Sequence, residues 1–224
     1  MKLKRGKEVV LAISDMQAPY HHPDAIRFLR ELKKKWNPTR VVCIGDSMDQ
    51  HQLGRFTPDP NAPSPSDEYE QGMVFMREIY KLFPKALEVE SNHNTRYLKQ
   101  AHNGRIPDQY LKSYREIMQY PKGWDIKPYV EIDDVIYEHG ERSSGGAVNR
   151  SIALANGQST VYGHHHSAAG VVCIANRKRM IWAMNVGCLI DHKSYGLAYA
   201  KTSRFMQTLG AGIVDKGVPY FEPL

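Results

Sequence analysis

Five stretches of this 224-residue chain place oxygen or imidazole donors directly after short apolar runs. "EVVLAIS" runs into Asp15 and Gln17, "RVVCIG" into Asp46 and Asp49, and "ALEVES" into Asn92 and His93. "DVIYE" runs into His139, and "STVYG" into His164 and His166. Carboxylate, amide oxygen and imidazole together suit Mn²⁺, Fe²⁺ or Zn²⁺ better than Ca²⁺. One such ending is noise. Five are a constellation, because ligands of open α/β sheets bind outside the carboxyl ends of the strands. Residues two apart in an extended segment point the same way. Asp15 and Gln17 are therefore expected to face one ion, and His164 and His166 to project together with His165 turned aside. The glycines before Asp46 and His164 are expected to let the backbone turn sharply. The two oxygens of Asp46 are enough to bridge a pair of cations.

Buried strands must carry these endings. Residues 8–14 and 40–44 read as strands apolar on both faces, and 86–90 as a third. A helix is expected from Pro23, with Asp24 in its first turn and Ala25, Leu29, Leu32 and Trp36 on one face. Residues 57–66, with four prolines, read as an irregular loop. Ser66 is the expected cap of a helix striped by Tyr69, Met73, Met76, Tyr80 and Phe83. Residues 94–120 read as broken helix. Runs at 128–132, 134–138, 159–162, 170–175, 179–186 and 202–214 read as strands. Strand and helix alternate in the first half, and strands dominate the second. The expected fold is α/β: a layered α/β/β/α sandwich of two mixed β-sheets flanked by helices, one domain over 1–224 with rim insertions near 50–66 and 95–125.

The net charge of +6 favours anionic partners without demanding them. Cys43, Cys173 and Cys188 lie in or beside apolar runs with no CxxC pair, which reads as reduced, buried thiols and a cytoplasmic setting. The apolar run after the basic start is too short for a signal peptide or a membrane span, and no other stretch is long enough to cross a bilayer. Oligomeric state has no signature here.

"SDMQ", "GDSMD", "SNHN", "EHG" and "GHHH", in this order across 15–166, resemble the calcineurin-like metallophosphoesterase superfamily. Its pattern is DxH, GDxxD, GNH(D/E), a lone His before Gly, and GHxH. The resemblance implies that Asp15, Gln17, Asp46 and His166 hold one metal, and that Asp46, Asn92, His139 and His164 hold another. His93 is implied as the catalytic group beside the substrate, Asp49 as a supporting residue, and Arg96 as a contact to a phosphate oxygen. The implied reaction is hydrolysis of a phosphate ester by a metal-bound hydroxide, with two divalent ions clamping an in-line displacement. Manganese is the first choice of metal, with Fe, Zn, Mg or Ni as alternatives. The implied substrate is a phosphodiester or phosphate monoester of a nucleotide or nucleic acid.

Three departures mark this chain. Gln17 stands where the family usually has histidine, as in small, phage-type members, and offers a weaker, harder ligand. Ser91 replaces glycine, which is tolerable if the turn needs no positive φ. Asn94 replaces Asp or Glu, removing a carboxylate beside His93. Gln17 and Asn94 keep open a catalytically weak nucleic-acid-binding protein that retains the fold, and a phosphoprotein phosphatase is a less favoured alternative on the substrate side. Other features have plain readings. Lys33–Lys35 and the "RKR" tip at 177–179 read as solvated cations, and Tyr97, Tyr110, Tyr114 and Tyr120 as packing rather than base stacking. His22 reads equally as a helix cap or a pocket residue.

Overall fold

The computed structural model describes residues 6–55, 57, 59–142, 147–194 and 206–224. Its first sheet contains the parallel strands β1 (Val9–Ile13), β2 (Arg40–Cys43), β3 (Ala86–Val89) and β4 (Trp124–Lys127). Two antiparallel strands, β10 (Gly210–Asp215) and β11 (Val218–Pro223), extend it beyond β1, giving the order β11-β10-β1-β2-β3-β4. The second sheet contains β5 (Val130–Ile132), β6 (Val135–Glu138), β7 (Ser159–Tyr162), β8 (Gly170–Ala175) and β9 (Met180–Asn185), in the order β5-β6-β7-β9-β8. Here β6, β7 and β9 run parallel, and the edges are antiparallel.

Alternation along the strands separates the layers. Val10 and Ala12 of β1 join Val42, Val161, Trp182 and Met184 in a core between the sheets. Leu11 and Ile13 face the other way, onto Leu29 and Leu32 of α1 (Ala25–Trp36) and Met73, Met76 and Ile79 of α2 (Pro65–Leu82). Tyr162 and Ala183, on the outer face of the second sheet, pack on Val148 and Ile152 of α5 (Val148–Asn156). The layers are therefore helix, sheet, sheet, helix, as expected. Each fully buried Val, Leu or Ile contributes roughly 1.5–3 kcal/mol, and three such layers hold the strand ends in fixed relative positions.

Several local expectations change. The first helix begins at Ala25, with Asp24 as its cap residue, and the ring Nδ1 of His22 accepts from the Asp24 amide at 3.2 Å. His22 thus serves the turn before the helix. The cap of α2 is Ser64, whose hydroxyl accepts from the Asp67 amide, and not Ser66. Pro65 explains the shift, since it suits a first helical position where no amide partner is needed. Helix α5 and strands β4 and β11 have no counterpart among the expected elements. Two prolines in β11, Pro219 and Pro223, disguise an edge strand that tolerates them. Cys43 and Cys188 are buried, but Cys173 is exposed because it points outward from β8 at the sheet edge. The expected strand at 202–214 is seen from Gly210; residues 202–205 lie outside the described residues. Among the described residues no helix is long and apolar enough to cross a membrane.

Candidate metal centre

The strand ends meet at one edge of the sandwich. The residues after β1 and β2 are held together by backbone bonds: Asp15 N–H donates to Gly45 O at 3.2 Å, and Gln17 N–H to Asp46 O at 2.8 Å. The loop after β7 closes onto them, with His164 N–H donating to Asp15 Oδ2 at 2.9 Å. Gly163 is required by this approach, because a Cβ there would collide with the Ser14 hydroxyl. Gly45 is required twice over: its φ is +77°, and a Cβ would strike Ser91.

Asp15, Gln17 and His164 do not project as neighbours on an extended strand. They sit past the strand ends with φ of 51°, 45° and 62°, and Asp46 joins them at 50°. Left-handed backbone is uncommon for non-glycine residues and costs of order 1–3 kcal/mol each where it is imposed. Four such residues lie together in this cluster.

Two groups of donor atoms form. In the first, His166 Nε2 lies 2.9 Å from Asp15 Oδ1, and Gln17 Nε2 lies 3.5 Å from His166 Nε2. The buried Gln17 Oε1 has no hydrogen-bond partner. In the second, His139 Nε2 lies 3.0 Å from Asn92 Oδ1, 3.1 Å from His164 Nδ1 and 3.3 Å from Asp46 Oδ2. Asp46, His139 and His164 offer ligand atoms within 4.8 Å of one another. His139 Nδ1 sits 2.8 Å from Ile44 O, so Nδ1 carries the proton and Nε2 is turned to the cluster, the usual arrangement behind a metal-binding imidazole.

The charges agree with a cation-seeking cluster. Burial alone would raise Asp46, but the neighbouring His139 and His93 hold it well below the usual carboxylate range. Burial would likewise raise Asp15, which His166 pulls down. His139 resists burial because Asp46 pushes it up to about 10. His164 falls to about 4 through burial and the charge of His139, so it is neutral at pH 7 with a lone pair to offer. Two acceptor oxygens and a neutral imidazole crowd His139 Nε2. Such an arrangement needs a positive centre, and a proton or a divalent ion satisfies it. The donor set, with the unpartnered Gln17 Oε1, fits a divalent cation.

His93, Asp49 and Arg96 form a third unit. His93 Nδ1 is 3.3 Å from Asp49 Oδ1, and its Nε2 is 3.4 Å from Asp46 Oδ2. Arg96, at the start of α3 (Arg96–Asn103), donates Nη1 to Asp49 O at 2.6 Å and brings Nη2 to 2.5 Å from His93 Nε2. These contacts use two of the five N–H donors of Arg96, and the side chain also lines the cleft. The cleft over the donor groups has a volume of about 610 Å³, and Arg55, Arg96, Lys99 and Glu141 line it. Arg55 comes from the segment 50–66, and Arg96 and Lys99 from 95–125, so both segments border the cleft.

Three residues of the site are not singled out by the sequence. Asn185, buried at the end of β9, donates to Gly163 O at 3.1 Å and His165 O at 3.2 Å and so pins the histidine loop. Ser14 donates to Asp15 Oδ2 at 2.5 Å. Glu88 is fully buried on β3, and burial lifts it to about 7 despite a hydrogen bond from Tyr120 at 2.5 Å. A glutamate in a strand otherwise buried was the available signal. His165, the middle histidine, sets its ring edge-on to His164, with 5.0 Å between centroids.

No family model matches the chain, and no curated protein does. Among solved structures the chain is similar to Yfce, a phosphoesterase from E. coli, at 15% identity and a TM-score of 0.44, over 94% of this chain and 90% of that one. It is similar to vacuolar protein sorting 29 from Cryptosporidium parvum at 13% identity and 0.44, over 96% and 95% of the chains. A Vps29 mutant from Entamoeba histolytica aligns at 11% identity and 0.41, over 96% and 98%.

Proposed function

We propose that this protein is a metal-dependent hydrolase of phosphate esters with a two-metal site. Asp15, Gln17, Asp46 and His166 hold one ion, and Asp46, Asn92, His139 and His164 the other. The observation that carries this reading is the crowding of Asn92 Oδ1, His164 Nδ1 and Asp46 Oδ2 within 3.0–3.3 Å of His139 Nε2, which calls for a positive centre. When bound, divalent ions, manganese first, supply polarisation of the phosphoryl oxygens and a nucleophilic water near neutral pH.

The chain's own groups do the rest. Asp49 sits 3.3 Å from His93 Nδ1 without a hydrogen bond to it, and Nε2 lies towards Asp46 and the cleft. Arg96 on that Nε2 supplies positive charge beside the place where phosphoryl charge grows. His93 becomes a proton donor to the leaving oxygen only once Arg96 withdraws. Arg55 and Lys99 on the cleft wall favour a substrate with negative charge beyond the scissile group, which points to nucleotides or nucleic acid.

The test is turnover of p-nitrophenyl phosphate, bis-p-nitrophenyl phosphate and a nucleotide panel with Mn²⁺, Fe²⁺, Zn²⁺, Mg²⁺ or Ni²⁺. His93→Ala is expected to lower kcat on the order of a hundredfold. A folded protein that turns over none of these esters with any of the metals would overturn the reading. Salt-sensitive nucleic-acid binding without turnover would support the rival binding protein.

A further inference from the structure

Beneath the cleft a chain of hydrogen bonds leads away from Asp46 into the protein. Asp46 N–H donates to Ser91 Oγ at 2.9 Å. Ser91 Oγ–H donates to Asn94 Oδ1 at 2.7 Å, and Asn94 Nδ2 donates to Glu88 Oε1 at 3.4 Å. Tyr120 OH donates to the other oxygen, Glu88 Oε2, at 2.5 Å. Tyr120 belongs to the second rim insertion and packs at 6.2 Å against Tyr114 of α4 (Tyr114–Ile117). Glu88, Asn94 and Ser91 are 0%, 3% and 3% exposed, so water does not substitute for any of these partners.

The direction of every bond follows from Glu88. Deprotonated, the form that prevails at pH 8, Glu88 only accepts. It therefore takes the amide N–H of Asn94, which turns Asn94 Oδ1 towards Ser91. Ser91 must then donate to Asn94 and is left with a lone pair for Asp46 N–H. We propose that Glu88 is a positioning residue for Asp46, setting the donor–acceptor order of the Asn94–Ser91 relay that clamps the Asp46 turn at φ 50°. Ser91 and Asn94, the two oddities of the "SNHN" stretch, are parts of one device whose charge sits on the neighbouring strand.

The relay makes a counter-intuitive prediction. Restoring an acid by Asn94→Asp sets two carboxylates face to face and leaves Glu88 Oε1 without its Asn94 donor. Pairing it with Glu88→Gln restores a complete chain. Tyr120 then donates to the carbonyl oxygen of the new side-chain amide, and the amide NH₂ donates to one oxygen of the new carboxylate. The other carboxylate oxygen accepts from Ser91. The experiment measures two quantities at pH 8 for wild type, N94D and E88Q/N94D. The first is hydrogen-exchange protection of the Asp46 amide in metal-free protein, and the second is the Mn²⁺ dissociation constant by calorimetry.

N94D is expected to lose at least tenfold in Asp46 amide protection and about 10–100-fold in Mn²⁺ affinity. The double variant is expected within about threefold of wild type on both, by the same bond count. If N94D does not fold, refolding by the second change supports the relay. Overturning results are an N94D protein that matches wild type, or a double variant as impaired as N94D. The Mn²⁺ measurement rests on the two-metal reading, whereas amide protection does not. Loss and recovery of protection without Mn²⁺ binding would sink that reading and leave the relay standing.

Discussion

Around Asp15, protein donors already serve most of the acceptors. Oδ2 takes Ser14 Oγ–H at 2.5 Å and the His164 amide at 2.9 Å, and Oδ1 faces His166 Nε2 at 2.9 Å. Around His139, acceptors crowd instead: Asn92 Oδ1 and Asp46 Oδ2 approach one ring nitrogen, with the lone pair of His164 beside them. The first cluster is half satisfied by the protein and holds a neutral amide where an imidazole would bind harder. The second has little but a proton to balance its negative edge. In the proposed two-metal arrangement Asp46 serves both. The lesson is one of unequal need: a cation entering the His139 cluster relieves a deficit, while one entering the Asp15 cluster must compete with bonds already made.

Removing the shared carboxylate tests that inequality most severely. Asp46→Asn is expected to cut turnover on the order of a thousandfold and to reduce bound metal at both clusters. His139→Ala is expected to empty the second cluster and leave a weak first one, so metal analysis reads about one ion or less per chain. If the ion retained in His139→Ala binds more tightly than the second ion of wild type, the ranking of the two clusters is wrong.

Support from below also separates the clusters, because Glu88 underlies only the Asp46–Asn92 side. Its acid group is lifted by burial to about 7 from an ordinary value of 4.5. A raised pKa means that the folded protein holds the proton more firmly than the unfolded chain. The stabilisation is complete below about pH 4.5 and is lost as pH rises through about 7. The difference amounts to about 3 kcal/mol. Glu88→Gln removes this slope, so urea midpoints of wild type and variant should diverge between pH 4.5 and 7, with the variant gaining relative stability at the alkaline end. Glu68, also lifted to about 7 by burial, contributes its slope to both proteins and cancels. Parallel curves would show that Glu88 does not titrate in this range.

The sequence exposed the strands feeding these clusters because two-sided burial writes long apolar runs, as in "EVVLAIS" and "RVVCI". It exposed the donors because each stands where such a run stops. It misled on how they converge. Period-two projection was expected of Asp15 and Gln17, and left-handed turns do the work, which no local pattern announces when the residues are not glycine. Glu88 stayed hidden because its partners, Asn94 and Tyr120, come from six and thirty-two positions away, and only the packed fold shows them. Ser66 against Ser64 is a boundary error of a kind short-range rules leave open, and β11 is missed outright because its prolines argue against a strand.

The gentlest way to sharpen the comparison is to repair the weaker cluster. Gln17 is 2% exposed, its Oε1 is unpartnered and its φ is 45°, a backbone setting that histidine tolerates better than most residues. Gln17→His puts an imidazole of similar size where a neutral oxygen stood. The borderline ligand favours Zn²⁺ over Mn²⁺, so the weaker of two Zn²⁺ dissociation constants should fall about tenfold, or about 1.4 kcal/mol, with Mn²⁺ nearly unchanged. The tighter constant should stay within error, because the His139 cluster does not include residue 17. A shift confined to the tighter constant would mean that Gln17 serves the stronger ion, and the division into a satisfied and a needy cluster would have to be redrawn.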